Sequence, residues 1–245
     1  MMKQTWLITG ISSGFGKEMA TQLLAKGDTV IGTVRTENAG VTALQQQYPA
    51  TLDVEYLDVT NTSQIRQVVA QAHHKHGQID VLVNNAGYGL FGAAEELSDH
   101  DIDLILATNL TGSIQMIRAV LPIMRQQGGG RILQLSSYGG QVAYPGNSMY
   151  HATKFGIEGF CEAVAQEVAP FKIGVTLVEP GGARTEFRYE SAHVAKLMPE
   201  YAATLAHAFL KMLGPANGLA PGDPAKMATR MIETVAQEPA PFTLS

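Results

Sequence analysis

Two short stretches carry residue types able to do acid–base chemistry: Ser136-Ser137-Tyr138-Gly139-Gly140 and Tyr150-His151-Ala152-Thr153-Lys154. Tyr150 and Lys154 stand four apart at the start of an Ala-rich run with apolar periodicity. On a helix they share one face, with Cβ atoms about 5–6 Å apart. A free tyrosine phenol, with a pKa of about 10, is a poor acid–base group at neutral pH. A lysine ammonium beside it favours the phenolate, and a cationic ring held nearby favours it further. The result is a proton donor and acceptor usable near neutrality. Ser137 ends the apolar strand Ile132-Leu133-Gln134-Leu135 and could hold a carbonyl oxygen beside that phenol. A Tyr-x-x-x-Lys pair alone is a weak signal, so its weight depends on the elements that position it.

The chain opens with the apolar run Thr5–Thr9, then Gly10-Ile11-Ser12-Ser13-Gly14-Phe15-Gly16, then an amphipathic helix with Met19, Leu23 and Leu24 on one face. Strand, glycine-rich turn and helix together aim helix N-terminal amides at a phosphate. The glycines let backbone approach the phosphate and helix pack on strand. The spacing Gly10-xxx-Gly14-x-Gly16 is neither G-x-G-x-x-G nor a Walker loop, since Glu18 follows Gly16-Lys17. Gly10-Ile11-Ser12-Ser13-Gly14 also matches the G-x-S-x-G elbow of serine hydrolases, with Ser12 as nucleophile. In that fold several strands and an oxyanion loop come first, whereas one strand precedes Ser12 here. The alternative stays open at this point.

Strand and helix then alternate: strand Thr29–Val34, helix Ala39–Gln47, strand Leu52–Leu57, helix Ser63–His74, strand Val81–Val83, a long helix from about Asp99 to Gln127, strand Ile132–Leu135, helix Tyr150–Ala169 and strand Val175–Val178. This order predicts an α/β fold, a Rossmann-type doubly wound parallel sheet with helices on both faces. No linker or composition shift divides residues 1–245, which reads as one domain. Ligands of such sheets bind at the carboxyl ends of the strands. Arg35, Asp58-Val59, Asn84-Asn85-Ala86-Gly87, Ser136-Ser137 and Glu179-Pro180-Gly181-Gly182 all follow strands and should meet Gly10–Gly16 on one edge.

A chain of 245 residues with 45% hydrophobic content can bury a sizeable core. A net charge of −5 without a basic cluster argues against a nucleic-acid partner. No apolar run approaches the roughly 20 residues of a membrane span, and the first strand begins too early for a signal peptide. One cysteine, Cys161, forms no internal disulfide and suits a reducing, cytoplasmic setting. The chain ends at Phe242-Thr243-Leu244-Ser245, where a last strand should start.

Together these motifs resemble the short-chain dehydrogenase/reductase family over nearly the whole chain. Thr9-Gly10-xxx-Gly14-x-Gly16, Asn84-Asn85-Ala86-Gly87, Asn109, Ser137, Tyr150-xxx-Lys154 and Pro180-Gly181 stand in the family's order and at its spacing. The resemblance implies a nicotinamide cofactor and hydride transfer to or from an alcohol or carbonyl. It implies Tyr150 as acid–base catalyst, Ser137 orienting the substrate oxygen, and Lys154 binding the nicotinamide ribose. Asn109 would interrupt the long helix and hold a water of the proton relay. Asp58 and Val59 would meet the adenine, and Asn85-Ala86-Gly87 would pass under the adenosine ribose. Pro180 to Thr185, including Gly181 and Gly182, would line the nicotinamide. A member of the family that binds cofactor without turnover is a third reading.

The acid that binds the NAD ribose in Rossmann folds ends the second strand, about 20 residues past the glycines. Here that place holds Val34, followed by Arg35, whose guanidinium suits a phosphate. Ser12 and Thr36 could add hydroxyls, and Glu37 is the nearest acid. The expected cofactor is NADP, with NAD possible.

His73, His74 and His76 close a helix, where cations suit the dipole, and read as a solvated end rather than a metal site. Ser136 reads as structural, and Cys161 as core packing. Residues 186–223 leave the strand–helix rhythm, with Phe187, Tyr189, Leu197, Met198, Tyr201, Leu205, Phe209 and Met212 among small residues. They form either an apolar lid over the site or an amphipathic helix packed on the sheet. Tyr88, Leu90, Phe91, Tyr138 and Tyr144 could complete an apolar pocket for a small-molecule substrate. The Tyr150 helix has a second apolar face, Ala152, Phe155, Gly156, Gly159, Phe160 and Ala163, which predicts a homodimer or homotetramer.

Overall fold

A computed structural model describes residues 3–185, 192–213 and 219–245. Phe187 and Tyr189 lie outside the described residues. In chain order the strands are β1 Thr5–Thr9, β2 Thr29–Val34, β3 Leu52–Tyr56, β4 Val81–Asn84, β5 Gly89–Phe91, β6 Gly130–Leu135, β7 Ile173–Val178, β8 Ala192–Val194 and β9 Thr243–Leu244. The helices are α1 Gly14–Lys26, α2 Ala39–Gln47, α3 Thr62–His76, α4 Asp99–Ile105, α5 Ser113–Gln127, α6 Ser148–Val168, α7 Leu205–Leu213 and α8 Pro224–Thr234. Seven strands form one parallel sheet in the order β3-β2-β1-β4-β6-β7-β9.

The period-two alternation of the strands decides which helices cover which face. Leu7, Ile31, Leu82 and Ile132 point into one cluster with Ile65 and Val68 of α3, Met116 and Val120 of α5, and Ile157 and Cys161 of α6. Trp6, Ile8, Val30, Val81 and Leu133 point the other way, onto Met19 and Leu23 of α1, Val41 of α2 and Met231 of α8. A parallel sheet covered on both faces reads as near-continuous apolar strands, as these do. From β1 the chain steps outward to β2 and β3, then crosses back to β4 on the other side. That reversal opens a crevice at the carboxyl ends of β1 and β4, the binding place of open α/β sheets.

Several features depart from the sequence reading. The long helix is continuous over residues 99–127 but passes through a π-helical stretch at Leu106–Gly112. It is long and apolar enough by length and composition to cross a membrane, contrary to the expectation. Scattered polar residues hid this from a search for unbroken apolar runs. Met116, Ile117, Val120 and Met124 are nevertheless packed into the core. The end of α3 is not simply solvated: Lys75 Nζ and His76 Nε2 reach Asp53 of β3, at 2.8 and 3.1 Å. β5 and β8 pair in parallel as a separate two-stranded piece. The last strand, β9, starts where the sequence placed it and pairs with Leu177 and Val178 of β7.

Candidate active site

The loop between β1 and α1 is built by close approach. A Cβ on Gly16 would lie 2.2 Å from the Gly10 carbonyl oxygen and 2.5 Å from Asn85 Nδ2. Gly10 and Gly14 hold φ of 74° and 54°, in the left-handed region. Asn85 Nδ2 donates to the carbonyls of Thr9 and Gly10, each at 2.9 Å. Thr9 Oγ1 in turn accepts from the backbone N–H groups of Asn85 and Ala86 at 3.0 Å. Ser13, at the N-cap of α1, makes no side-chain capping bond, so the first amides of the helix remain available to an anion.

A cavity of about 920 Å³ runs along the carboxyl ends of the strands. It collects Gly10, Ser12, Ser13, Gly14, Phe15, Arg35, Asp58, Val59, Asn85, Ala86, Gly87, Ser137, Tyr150, Lys154, Pro180, Gly181, Gly182 and Thr185, nearly all the residues singled out by sequence. Two fall elsewhere. Gly16 packs beneath the loop, because its backbone must touch Gly10 and Asn85. Asn109 is buried behind Tyr88, accepting from its N–H at 3.0 Å and donating to its carbonyl at 2.8 Å. Its amide therefore acts on the wall through the Tyr88 backbone. Asp58 directs its carboxylate to Thr60, accepting from N and Oγ1. The glycine cradle, the uncapped α1 and the length of the cavity suit a dinucleotide.

At the other end α6 presents Tyr150 and Lys154, both buried. Lys154 Nζ stands 5.5 Å from the centroid of the Tyr150 ring and donates to the Leu135 carbonyl at 2.9 Å. Burial lowers the Lys154 pKa to about 8, with the charge of Glu158 pulling partly back. Ser137 has extended backbone after β6, and its Oγ accepts from Gly139 N–H at 3.0 Å. Ser136 is buried against the Glu158 carboxylate, the structural part expected for it. Burial also raises the Glu158 pKa.

The remaining wall mixes aromatic rings with polar groups, among them Asp101 paired with His193 at 3.1 Å. Tyr88, Phe91, Tyr138 and Tyr144 line it, joined by Phe209 and Met212 of α7. Leu90 does not: neighbours on β5 point to opposite sides, and Leu90 is buried with Ile105 and Tyr150. Leu197, Met198, Tyr201 and Leu205 also lie off the cavity wall. The α7 segment is tied down through buried Glu96, which accepts from His207 Nε2 at 2.7 Å and from Met198 N–H at 2.7 Å. Sequence reasoning missed His100, Leu104 and Thr108, which line the wall from successive turns of the long helix. Their spacing of four was the available signal. It also passed over His151, whose two ring nitrogens are both bonded. Ser12 is exposed and, among the described residues, no histidine hydrogen-bonds it, so nothing assembles a hydrolase site around it.

A family model described as short chain dehydrogenase matches residues 4–195. Oxidoreductase BOA17 of Botryotinia fuckeliana is 37% identical over 243 residues, covering 99% of this chain and 88% of its own length. A 3-ketodihydrosphingosine reductase of Bacteroides thetaiotaomicron is 37% identical over 249 residues, covering 99% of this chain and 87% of its own. A solved short-chain dehydrogenase from Streptomyces avermitilis superposes with a TM-score of 0.90 at 38% identity, covering 99% of this chain and 87% of that one.

Proposed function

We propose a function that starts from kinship: the chain belongs to the short-chain dehydrogenase/reductase family of oxidoreductases. Within it, the protein is a reductase or dehydrogenase that exchanges an apolar ketone or aldehyde with its alcohol, using NADP in preference to NAD. The observation that carries this reading is the buried Tyr150–Lys154 pair in one cavity with Ser137 and the glycine loop.

When bound, the nicotinamide exchanges the hydride. In carbonyl reduction Tyr150 gives its phenolic proton to the substrate oxygen, which Ser137 Oγ–H holds in place. Lys154 stabilises the charge left on the phenolate and would donate to the ribose of a bound cofactor. Asn109 keeps the Tyr88 turn in place through the two hydrogen bonds of its amide to that backbone. Gly10 to Phe15 and the start of α1 would hold the phosphates, Asp58 and Val59 the adenine, Asn85 to Gly87 the adenosine ribose, and Pro180 to Thr185 the nicotinamide. Arg35 lines the cavity where Glu37 does not, which favours a 2′-phosphate. The aromatic wall suits an apolar chain, and a relative that carries the name 3-ketodihydrosphingosine reductase makes long-chain ketones the first candidates.

We further propose one catalytic domain acting in the cytoplasm as a homodimer or homotetramer. Phe155 is 48% exposed on the outer face of α6, beside exposed Ala152, Gly156, Gly159 and Ala163. Sedimentation as a monomer at micromolar concentration would refute the assembly.

The function is tested by a panel of ketones and aldehydes, long-chain ones included, read as loss of NADPH absorbance. Tyr150→Phe should abolish turnover and leave the NADPH dissociation constant nearly unchanged. A Tyr150→Phe protein that keeps more than a few per cent of wild-type kcat overturns the assignment.

A further inference from the structure

His151 follows Tyr150 on α6, is buried, and lines the cavity. Its Nδ1 lies 2.7 Å from the Gly139 carbonyl, and the Tyr144 N–H donates to its Nε2 at 2.9 Å. A carbonyl can only accept and an amide N–H can only donate. Nδ1 therefore carries the ring proton and Nε2 is bare, which fixes a single neutral tautomer. Both nitrogens grip the same segment, the stretch from Tyr138 to Tyr144 that leads from β6 towards α6. The Tyr144 ring lies 5.6 Å from the imidazole and stacks on Phe209 of α7, with centroids 5.9 Å apart and planes within 6°.

The near end of that segment has separate anchors. Ser136 Oγ and Gln141 Nε2 both bond the Glu158 carboxylate, two turns further along α6. Tyr138 N–H donates to the Pro180 carbonyl at 3.1 Å. Ser137 sits among these anchors, and His151 reaches it only indirectly, through Gly139, whose N–H donates to Ser137 Oγ at 3.0 Å. The Tyr144 N–H has His151 itself as its partner.

We propose that His151 is a positioning residue that sets the substrate selectivity of the pocket, by holding Tyr144 in place against Phe209. What the pocket accepts rests on the reductase reading above; the grip on Tyr144 does not. Loss of the His151 ring loosens the far wall; Tyr150, which meets that ring edge-on at 6.0 Å, stays beside Lys154 on α6, and the Pro180 and Glu158 anchors still hold the Ser137 end. Long apolar substrates then lose binding, and the chemical step is spared.

The test compares wild type, His151→Asn and His151→Gln. Asparagine keeps a donor near the Nδ1 place, and glutamine keeps an acceptor near the Nε2 place. Hydrogen exchange read by mass spectrometry should show the Tyr144 amide exchanging about ten-fold faster in His151→Asn and near the wild-type rate in His151→Gln. Kinetics with NADPH then use methyl octyl ketone and acetone. For His151→Asn, KM for the long ketone should rise about ten-fold, with kcat and KM for acetone within about two-fold of wild type. Tyr144→Ala should raise the same KM, and adding His151→Asn to it should change little more. Unchanged exchange in His151→Asn overturns the proposal. So do additive effects with Tyr144→Ala, or a fall in kcat and NADPH affinity with KM unmoved. A wild type that reduces neither ketone defeats the reductase reading for these probes, and the exchange result alone then decides the grip on Tyr144.

Discussion

Lys154 is a buried ammonium, and its environment makes a prediction about stability as well as catalysis. Burial lowers its pKa from 10.5 to about 8 in the folded chain, against a smaller opposing pull from Glu158. One pKa unit is worth 1.36 kcal/mol, so holding the charged form in the fold costs roughly 3 kcal/mol. The sign follows from proton counting. Between about pH 8 and 10.5 the unfolded chain binds more protons than the folded one, so stability rises with pH across that window. Below about pH 8 the full penalty is present; above about 10.5 it is gone. Lys154→Met keeps an unbranched stem and removes the charge. It also strips the Leu135 carbonyl of its 2.9 Å donor, a loss of about 1–2 kcal/mol that does not depend on pH. At neutral pH the cofactor-free variant should therefore be more stable than wild type by roughly 1–2 kcal/mol. That advantage should shrink and reverse on the way to pH 10.5, a swing of roughly 3 kcal/mol. Urea unfolding of both proteins in a Tyr150→Phe background, which removes the phenol beside Lys154, reads the difference at several pH values, and titrating groups remote from Lys154 cancel in it. A stability difference that stays flat from neutrality to pH 10.5 would show that the Lys154 pKa is not depressed.

Three further outcomes follow from other parts of the fold. Gly16→Ala forces a methyl to 2.2 Å from the Gly10 carbonyl oxygen; it should cost roughly 1–3 kcal/mol in urea unfolding and weaken NADPH binding, and wild-type values for both would refute the close-packed loop. Burial pushes the Cys161 thiol up to about 12, leaving about one thiolate in ten thousand at pH 8. Iodoacetamide should therefore spare the native protein and label it only in urea. Arg35→Ala should reduce the ratio of NADP to NAD affinity by roughly 1.5–3 kcal/mol, the scale of a hydrogen bond to a charged group. A wild type that binds both cofactors equally, titrated at one ionic strength, removes that role from Arg35.

What the sequence made legible, and what it hid, follows from how far each signal travels along the chain. Six strands of the sheet could be read because each is a local apolar run or alternation and each helix a local period, with the glycine loop joining the first pair; the two-residue β9 showed only as a strand about to start. The cavity could be read because a parallel sheet brings every strand's carboxyl end to one edge, so Arg35, Asp58, Asn85, Ser137 and Pro180 had to converge. Signals that needed a partner elsewhere were lost. β5 and β8 are three residues each and about a hundred residues apart, too short for a period and too distant for a turn rule. The direction of Leu90 depended on the register of β5, which no neighbouring residue announces. His151 was hidden for a different reason: its partners are a backbone carbonyl and a backbone amide, groups every residue has. A sequence can announce a tyrosine four before a lysine. It cannot announce which main-chain groups an imidazole will hold, and that is where the pocket wall of this fold is fixed.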